Sequence, residues 1–151
     1  MKSLLIGGVF LLASLFLNQT ALAANILMVR TPQSFPEAML KLQEVISNKG
    51  YVVSRVQRVD IGLTNSGYQT DKYRIVFYGI PDEIARLSQK YPDLIPYLPL
   101  KISIFAEGKD TILVTANPQH LQKPNDAELA RAIDKWESDL VAIFAEMREE
   151  D

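Results

Sequence analysis

Lys101-Ile102-Ser103-Ile104-Phe105-Ala106 and Thr111-Ile112-Leu113-Val114-Thr115-Ala116 stand on either side of Glu107-Gly108-Lys109-Asp110. Both runs are dense in β-branched and apolar side chains. The segment between them carries the glycine and polar groups of a tight turn. This arrangement predicts a β-hairpin. Upstream, Tyr73-Arg74-Ile75-Val76-Phe77-Tyr78 has the same character and centres a strand over Tyr68–Tyr78. Thr64-Asn65-Ser66-Gly67 reads as the turn joining it to a strand over Tyr51–Leu63, so these two strands also form a hairpin. In the earlier strand Val52, Ser54 and Val56 share one parity, while Val59, Ile61 and Leu63 share the other. A bulge or bend near Gln57-Arg58 would reconcile them. Asn25–Arg30 is a first strand, ended by Thr31-Pro32.

Helices fill the gaps. Ser34-Phe35-Pro36-Glu37 is a helix start, with proline in the first turn and Glu37 placed to reach back to Ser34. Phe35, Met39, Leu42 and Ile46 mark one buried face, and Gly50 sits where a left-handed C-cap is expected. Gly79-Ile80-Pro81-Asp82 opens a second helix with Ile84 and Leu87 inward. Tyr91–Pro99 is punctuated by prolines, which predicts an ordered, extended or turned connection. After a loop over Asn117–Asn125, a last helix begins near Asn125 or Asp126, where Glu128 can complete a cap. Leu129, Ile133, Trp136, Leu140, Phe144 and Met147 form its apolar stripe, and the acidic end after Arg148 is expected to fray. The order is β-α-β-β-α-β-β-α. It predicts one α+β domain, an antiparallel sheet of four to five strands with helices on one face.

Composition bounds the function. The chain has 151 residues, 48% hydrophobic and 23% charged, as in an ordinary folded protein. Its formal net charge of −2 offers no basic footprint for nucleic acid. With no cysteine, disulfides, thiolate metal sites and a cysteine nucleophile are excluded. Met1-Lys2 followed by the uncharged run Leu4–Leu17 and then Ala21-Leu22-Ala23 fits an export signal. The apolar run is shorter than the roughly 18–20 residues needed to span a bilayer. Residues 1–23 are therefore expected to be removed, leaving a periplasmic or secreted domain over residues 24–151 without stable membrane insertion.

Several strings, taken in order, carry a family resemblance. They are Gly50-Tyr51, then Val59-Asp60-Ile61 with Leu63 and Gly67, then Ile75–Ala85 running into Ile80-Pro81-Asp82-Glu83-Ile84-Ala85. The last is Leu98-Pro99-Leu100-Lys101-Ile102-Ser103-Ile104 before the Glu107-Gly108 turn. Together they resemble domain-of-unknown-function family 302 over roughly Phe35–Pro118. The resemblance implies a small α+β domain similar to the TATA-binding-protein-like fold, dimeric, and without an established activity. Many members carry cysteine where this chain has Ile80 and Leu100, so a thiol-based metal or redox role does not carry over.

No phosphate loop, Gly-x-Gly-x-x-Gly, His-Glu-x-x-His or Gly-x-Ser-x-Gly occurs. His120 is the single histidine; alone it suits an exposed loop better than a zinc site, which needs three or four protein ligands. Met28, Met39 and Met147 are spaced for core packing rather than a soft-metal cluster. Asp60, Asp71, Arg74 and Lys101 could be gathered by strand pairing, as cross-strand charges or as an anion site. Tyr68, Tyr73, Tyr78, Tyr91 and Tyr97 with Phe77 and Phe105 suit core packing, a pocket or an interface. The candidate ligand-binding residues are Tyr68, Tyr73, Arg74, Tyr97, Lys101 and His120. No cofactor, metal or catalytic residue is assigned. The reading is an exported, non-enzymatic module that binds an unidentified periplasmic protein or pairs as a homodimer. One alternative is a binding protein for a small apolar or aromatic ligand held between the sheet and the last helix. A second is an enzyme using Asp60 or Glu107 with His120.

Overall fold

The hairpin at the heart of the sequence lies inside the sheet. In a computed structural model, which describes residues 25–121 and 125–148, Glu107 pairs with Asp110 across the turn, and Gly108 supplies the left-handed backbone there at φ +62°. The elements run β1 (Ile26–Thr31), α1 (Phe35–Asn48), β2 (Val52–Arg58), α2 (Val59–Asn65) and β3 (Tyr73–Gly79). Then come α3 (Pro81–Lys90), β4 (Leu100–Glu107), β5 (Asp110–Ala116) and α4 (Ala127–Arg148). Single 3-10 segments span Pro92–Tyr97 and Pro118–His120. The five strands form one antiparallel sheet in the order β1-β5-β4-β3-β2, and the fold is α+β. Export-signal residues 1–23 lie outside the described residues.

The helices cover one face. The inner-facing side chains are Val29, Val76, Tyr78, Leu100, Ile102, Ile104 and Leu113. They share one core with Phe35, Leu42 and Ile46 of α1, Leu87 of α3, and the whole α4 stripe. All six stripe residues expected from the periodicity are buried, joined by Ala132 and Ile143. At the α4 start the Asp126 carboxylate accepts from the Glu128 and Leu129 N–H groups at 2.8 and 3.3 Å. Glu128, expected to complete that cap, instead pairs with Arg86 and Lys90 of α3. At α1 the Glu37 carboxylate accepts from both the N–H and the hydroxyl of Ser34, at 3.0 and 2.5 Å. The far end closes as the glycine predicts: Gly50 sits at φ +83°, its N–H donates to Ser47, and the Tyr51 N–H donates to Ile46.

Several expectations are corrected. The strand over Tyr51–Leu63 stops at Arg58, and Val59–Asn65 is helical. The last register pair is Arg58 with Arg74, and β3 begins only at Tyr73, so residues beyond Arg58 have no ladder partner. Their backbone groups must bond locally, which a helix achieves. For the same reason residues 68–72 are not strand. The irregularity in β2 lies between Val53 and Arg55 rather than near Gln57-Arg58. It puts Val53 and Val56 on the inner face opposite Tyr78 and Val76. The proline-punctuated connection is a 3-10 turn, and its Leu98–Pro99 peptide is cis.

Gly50→Ala should lower the unfolding free energy by about 1 kcal/mol, since an added Cβ meets no neighbour and the loss is that of the left-handed backbone alone. Gly62→Ala, inside α2 at an ordinary φ, should be neutral or slightly stabilising. Urea denaturation of the two variants measures the contrast.

Candidate functional site

Register places an unusual set of side chains on the outer face of the sheet. One row across the strands is Arg30, Ile112, Phe105 and Tyr73. The next is Met28, Val114, Ser103, Ile75 and Gln57. Beyond it Lys101, Phe77 and Arg55 are neighbours, and Ile26 faces Ala116 at the edge. None of these side chains belongs to the core beneath the helices. Met28 and Ile26 are about 60% exposed, and Phe105, Ile75, Phe77 and Val114 are half-buried. Ile112 alone is buried, between Arg30 and Phe105. Arg30 reaches along the rim to Glu107 and Asp110. Tyr73 meets Phe105 edge to face at 6.1 Å.

A second feature lies at the end of the sheet where β4 begins and β5 ends. Leu100, Lys101, Thr115, Ala116, Asn117, Pro118, His120, Leu121, Leu140 and Tyr97 line a hollow of about 150 Å³. Three candidate residues from the sequence, Tyr97, Lys101 and His120, therefore converge there. Asn117 is buried; its amide donates to Glu137 at 3.1 Å and its carbonyl accepts from the Gln119 N–H. The Thr115 hydroxyl donates to the Lys101 carbonyl at 2.7 Å.

The other candidates go elsewhere. Arg74 is on the inner face and forms a largely buried ion pair with Asp60, its guanidinium also lying 5.7 Å from the Phe35 ring. Its hydrogen bond holds the Asp60 carboxyl below the usual carboxylate range, against the opposing effect of burial. Lys101 is at the opposite end of β4 from this pair, and Asp71 lines a separate, more open hollow with Tyr73, so the four-charge cluster does not assemble. Tyr68 is 65% exposed. Glu107 is engaged with Arg30 at the end of β4 opposite Leu100 and Lys101, which line the hollow with His120, and at about 3.3 Å per residue the strand from Leu100 to Glu107 is about 23 Å long. Asp60 is at that far end too, so neither carboxylate reaches His120. Met147 is core, but Met28 is exposed on the outer face. Among the described residues no group of three or more His, Asp or Glu side chains could hold a metal, and no helix is long and apolar enough to cross a membrane.

The sequence reading missed a cluster joining Tyr51, just before β2, to α4. The Tyr51 hydroxyl donates to Asp139 at 2.5 Å, Lys135 donates to the same carboxylate, and Tyr51 stacks edge-on against Tyr78 at 5.3 Å. Burial first, then Asp139, pushes the Tyr51 phenol upward, so it stays a donor. Burial works against ionisation of Asp139, yet Lys135 and Tyr51 hold its carboxyl below its ordinary range. The residues are far apart in sequence, and only the Lys135–Asp139 helical spacing hinted at it.

The model of the family described as domain of unknown function DUF302 matches residues 27–147. The chain belongs to the DUF302 family. A crystal structure of an uncharacterized conserved DUF302 protein from Bacillus stearothermophilus superposes with a TM-score of 0.73. That relative is 22% identical, and the match covers 83% of this chain and 100% of the other, a likeness of fold. No curated protein matches. In this DUF302 domain Leu100 supplies apolar wall to the hollow, and Ile80, preceding α3, packs against the core.

The Asp60–Arg74 pair gives a pH signature. A lowered native carboxyl stabilises the fold above the ordinary carboxylate range and loses that contribution as pH falls toward its native value. Asp60→Asn should cost about 1 kcal/mol at pH 7. The difference from the parent should shrink below about pH 4, as urea midpoints at a series of pH values will show.

Proposed function

We propose that this DUF302 domain is an exported, non-enzymatic module that pairs with a second copy of itself through the outer face of its sheet. The observation that carries the reading is the apolar character of that face. An antiparallel sheet with one face in water alternates apolar and polar residues. Here Ile75, Phe77, Phe105, Ile112, Val114 and Met28 occupy the water-facing parity, as in strands covered on both sides. Among the described residues the helices cover only the other side.

Size favours a second copy. Five strands about 4.8 Å apart, each contributing about six residues of about 3.3 Å, make a footprint of about 480 Å² before side-chain relief is counted. That is about 60% of the roughly 800 Å² per partner of a standard interface, and side-chain relief adds to it. Two such faces can stack about 10 Å apart with their strands nearly aligned. A two-fold pairing needs only that one face suit itself, and charges such as Arg30, Glu107 and Arg55 lie toward its rim.

Sedimentation equilibrium of the purified protein should give a dimer. Ile75→Glu and Ser103→Arg, in the central row, should each weaken association by at least about tenfold while leaving the circular dichroism unchanged. A parent chain that remains monomeric at about 1 mM sinks the reading. Export has its own check. We infer cleavage after Ala23 from the charged start, the apolar run and the small residues before it. Intact mass of the protein produced with its native N-terminus should correspond to a chain beginning at Ala24; a product that keeps Met1 in the membrane fraction refutes export by cleavage.

A further inference from the structure

The hollow at the end of the sheet is built from segments distant in the chain: the turn before β4, the β4 start, the β5 end, the 3-10 segment after it, and Leu140 of α4. Its walls divide by chemistry. Leu100, Pro118, Leu121 and Leu140 are apolar. Thr115 and Asn117 have their side-chain polar groups taken up by the Lys101 carbonyl, Glu137 and the Gln119 N–H. Three polar side chains remain: Lys101, His120 and Tyr97. Among the described residues none of the three has a side-chain hydrogen bond or ion pair, whereas Arg30, Arg74, Lys49, Arg86, Lys90 and Lys135 all have acidic partners.

These three groups share one property: each can donate. Lys101 brings a full positive charge and three N–H bonds, Tyr97 a phenolic O–H, and His120 an imidazole N–H. Among the described residues no carboxylate lines the hollow. The two nearest in the network, Glu137 and Asp134, are occupied by Asn117 and by the Gln119 amide at 3.1 and 2.9 Å. A site with an apolar floor, free donors and one unpaired cation suits an anion attached to a compact apolar body. A volume of about 150 Å³ admits a body about the size of one benzene ring.

We propose that this hollow binds a small monocarboxylate carrying a single ring or a branched alkyl group. The carboxylate meets Lys101, with Tyr97 and His120 as further donors, and the apolar body lies against Leu100, Leu121 and Leu140. Charge-assisted hydrogen bonds set the preference for the ionised acid, and burial of the ring supplies the remaining affinity. Every lining residue belongs to a single chain, so the site needs no second copy, although Lys101 lies on the outer parity of β4 beside the face proposed to pair. Leu100 of the inner face and Leu140 of α4 form the floor.

The test is titration of ¹⁵N-labelled protein with benzoate, and with benzamide as its neutral match in shape. Benzoate in about the millimolar range should move the amide resonances of Lys101, Asn117, His120 and Leu121 saturably. Benzamide should bind at least about tenfold more weakly, and Lys101→Gln should erase that preference. Leu121→Trp, filling the hollow from its half-exposed edge, should abolish binding of both. Ser103→Arg, which opposes pairing of the outer faces, should leave benzoate binding intact. Equal affinity for benzoate and benzamide, shifts confined to other surfaces, or no shift at about 10 mM benzoate would each overturn the proposal. Loss of binding in Ser103→Arg would likewise overturn a site built within one chain.

Discussion

The Trp136 indole is 1% exposed and lies in the α4 stripe, with its N–H donating to Glu83 of α3 at 3.2 Å. Around it Ile133, Leu140, Ile143 and Phe144 share a core with Val29, Leu113 and Ile104 of the sheet and Leu42 and Ile46 of α1. This burial is the constraint on which the domain depends. Removing an aromatic of this size from such a core costs about 3–5 kcal/mol, a large share of the stability of a small domain. The Asp126 cap, the Arg86 and Lys90 pairs with Glu128, and the Tyr51–Asp139–Lys135 cluster all position α4 for that contact.

One helical layer can satisfy only one side of a sheet. The opposite side of this sheet is nearly as apolar, so its chemistry asks for a second cover that the described helices do not provide. A hydrophobic face of this extent contrasts with the distribution of charge elsewhere. Most basic side chains on the helical side and at the turns are matched with acids, and the charges of the outer face sit toward its edges. The surface is thus divided into solvated, ion-paired regions and one apolar plane.

Legibility in the sequence followed physical range. The α4 stripe, the Gly50 cap, the β4–β5 hairpin and the split between strands and helices depend on neighbours within a few residues, and each was readable. The segment Val59–Leu63 was not. Its β-branched residues favour a strand, but β3 starts too late to pair with it, and the need to satisfy the backbone outweighed propensity. The bulge in β2 was expected in kind and misplaced by a few residues, because its position is set by which valines must reach Tyr78 and Val76. Phe77 and Phe105 were read from the sequence as aromatics suited to core, pocket or interface. Which face those residues occupied, and that no helix covered it, required the register.

What the chain determined alone was its periodicity, its caps and turns, and its lack of thiol chemistry. Those properties are local or compositional and need no knowledge of what lies opposite. Only the tertiary structure decided that Tyr97, Lys101 and His120 share a hollow while Arg74 turns inward to Asp60 and Tyr68 stands in solvent. It decided too that Asp60 and Glu107 lie at the far end of the sheet from His120. Such meetings and separations depend on strand order and on where α4 crosses the sheet. Both follow from packing between segments remote in sequence, which no spacing along the chain encodes.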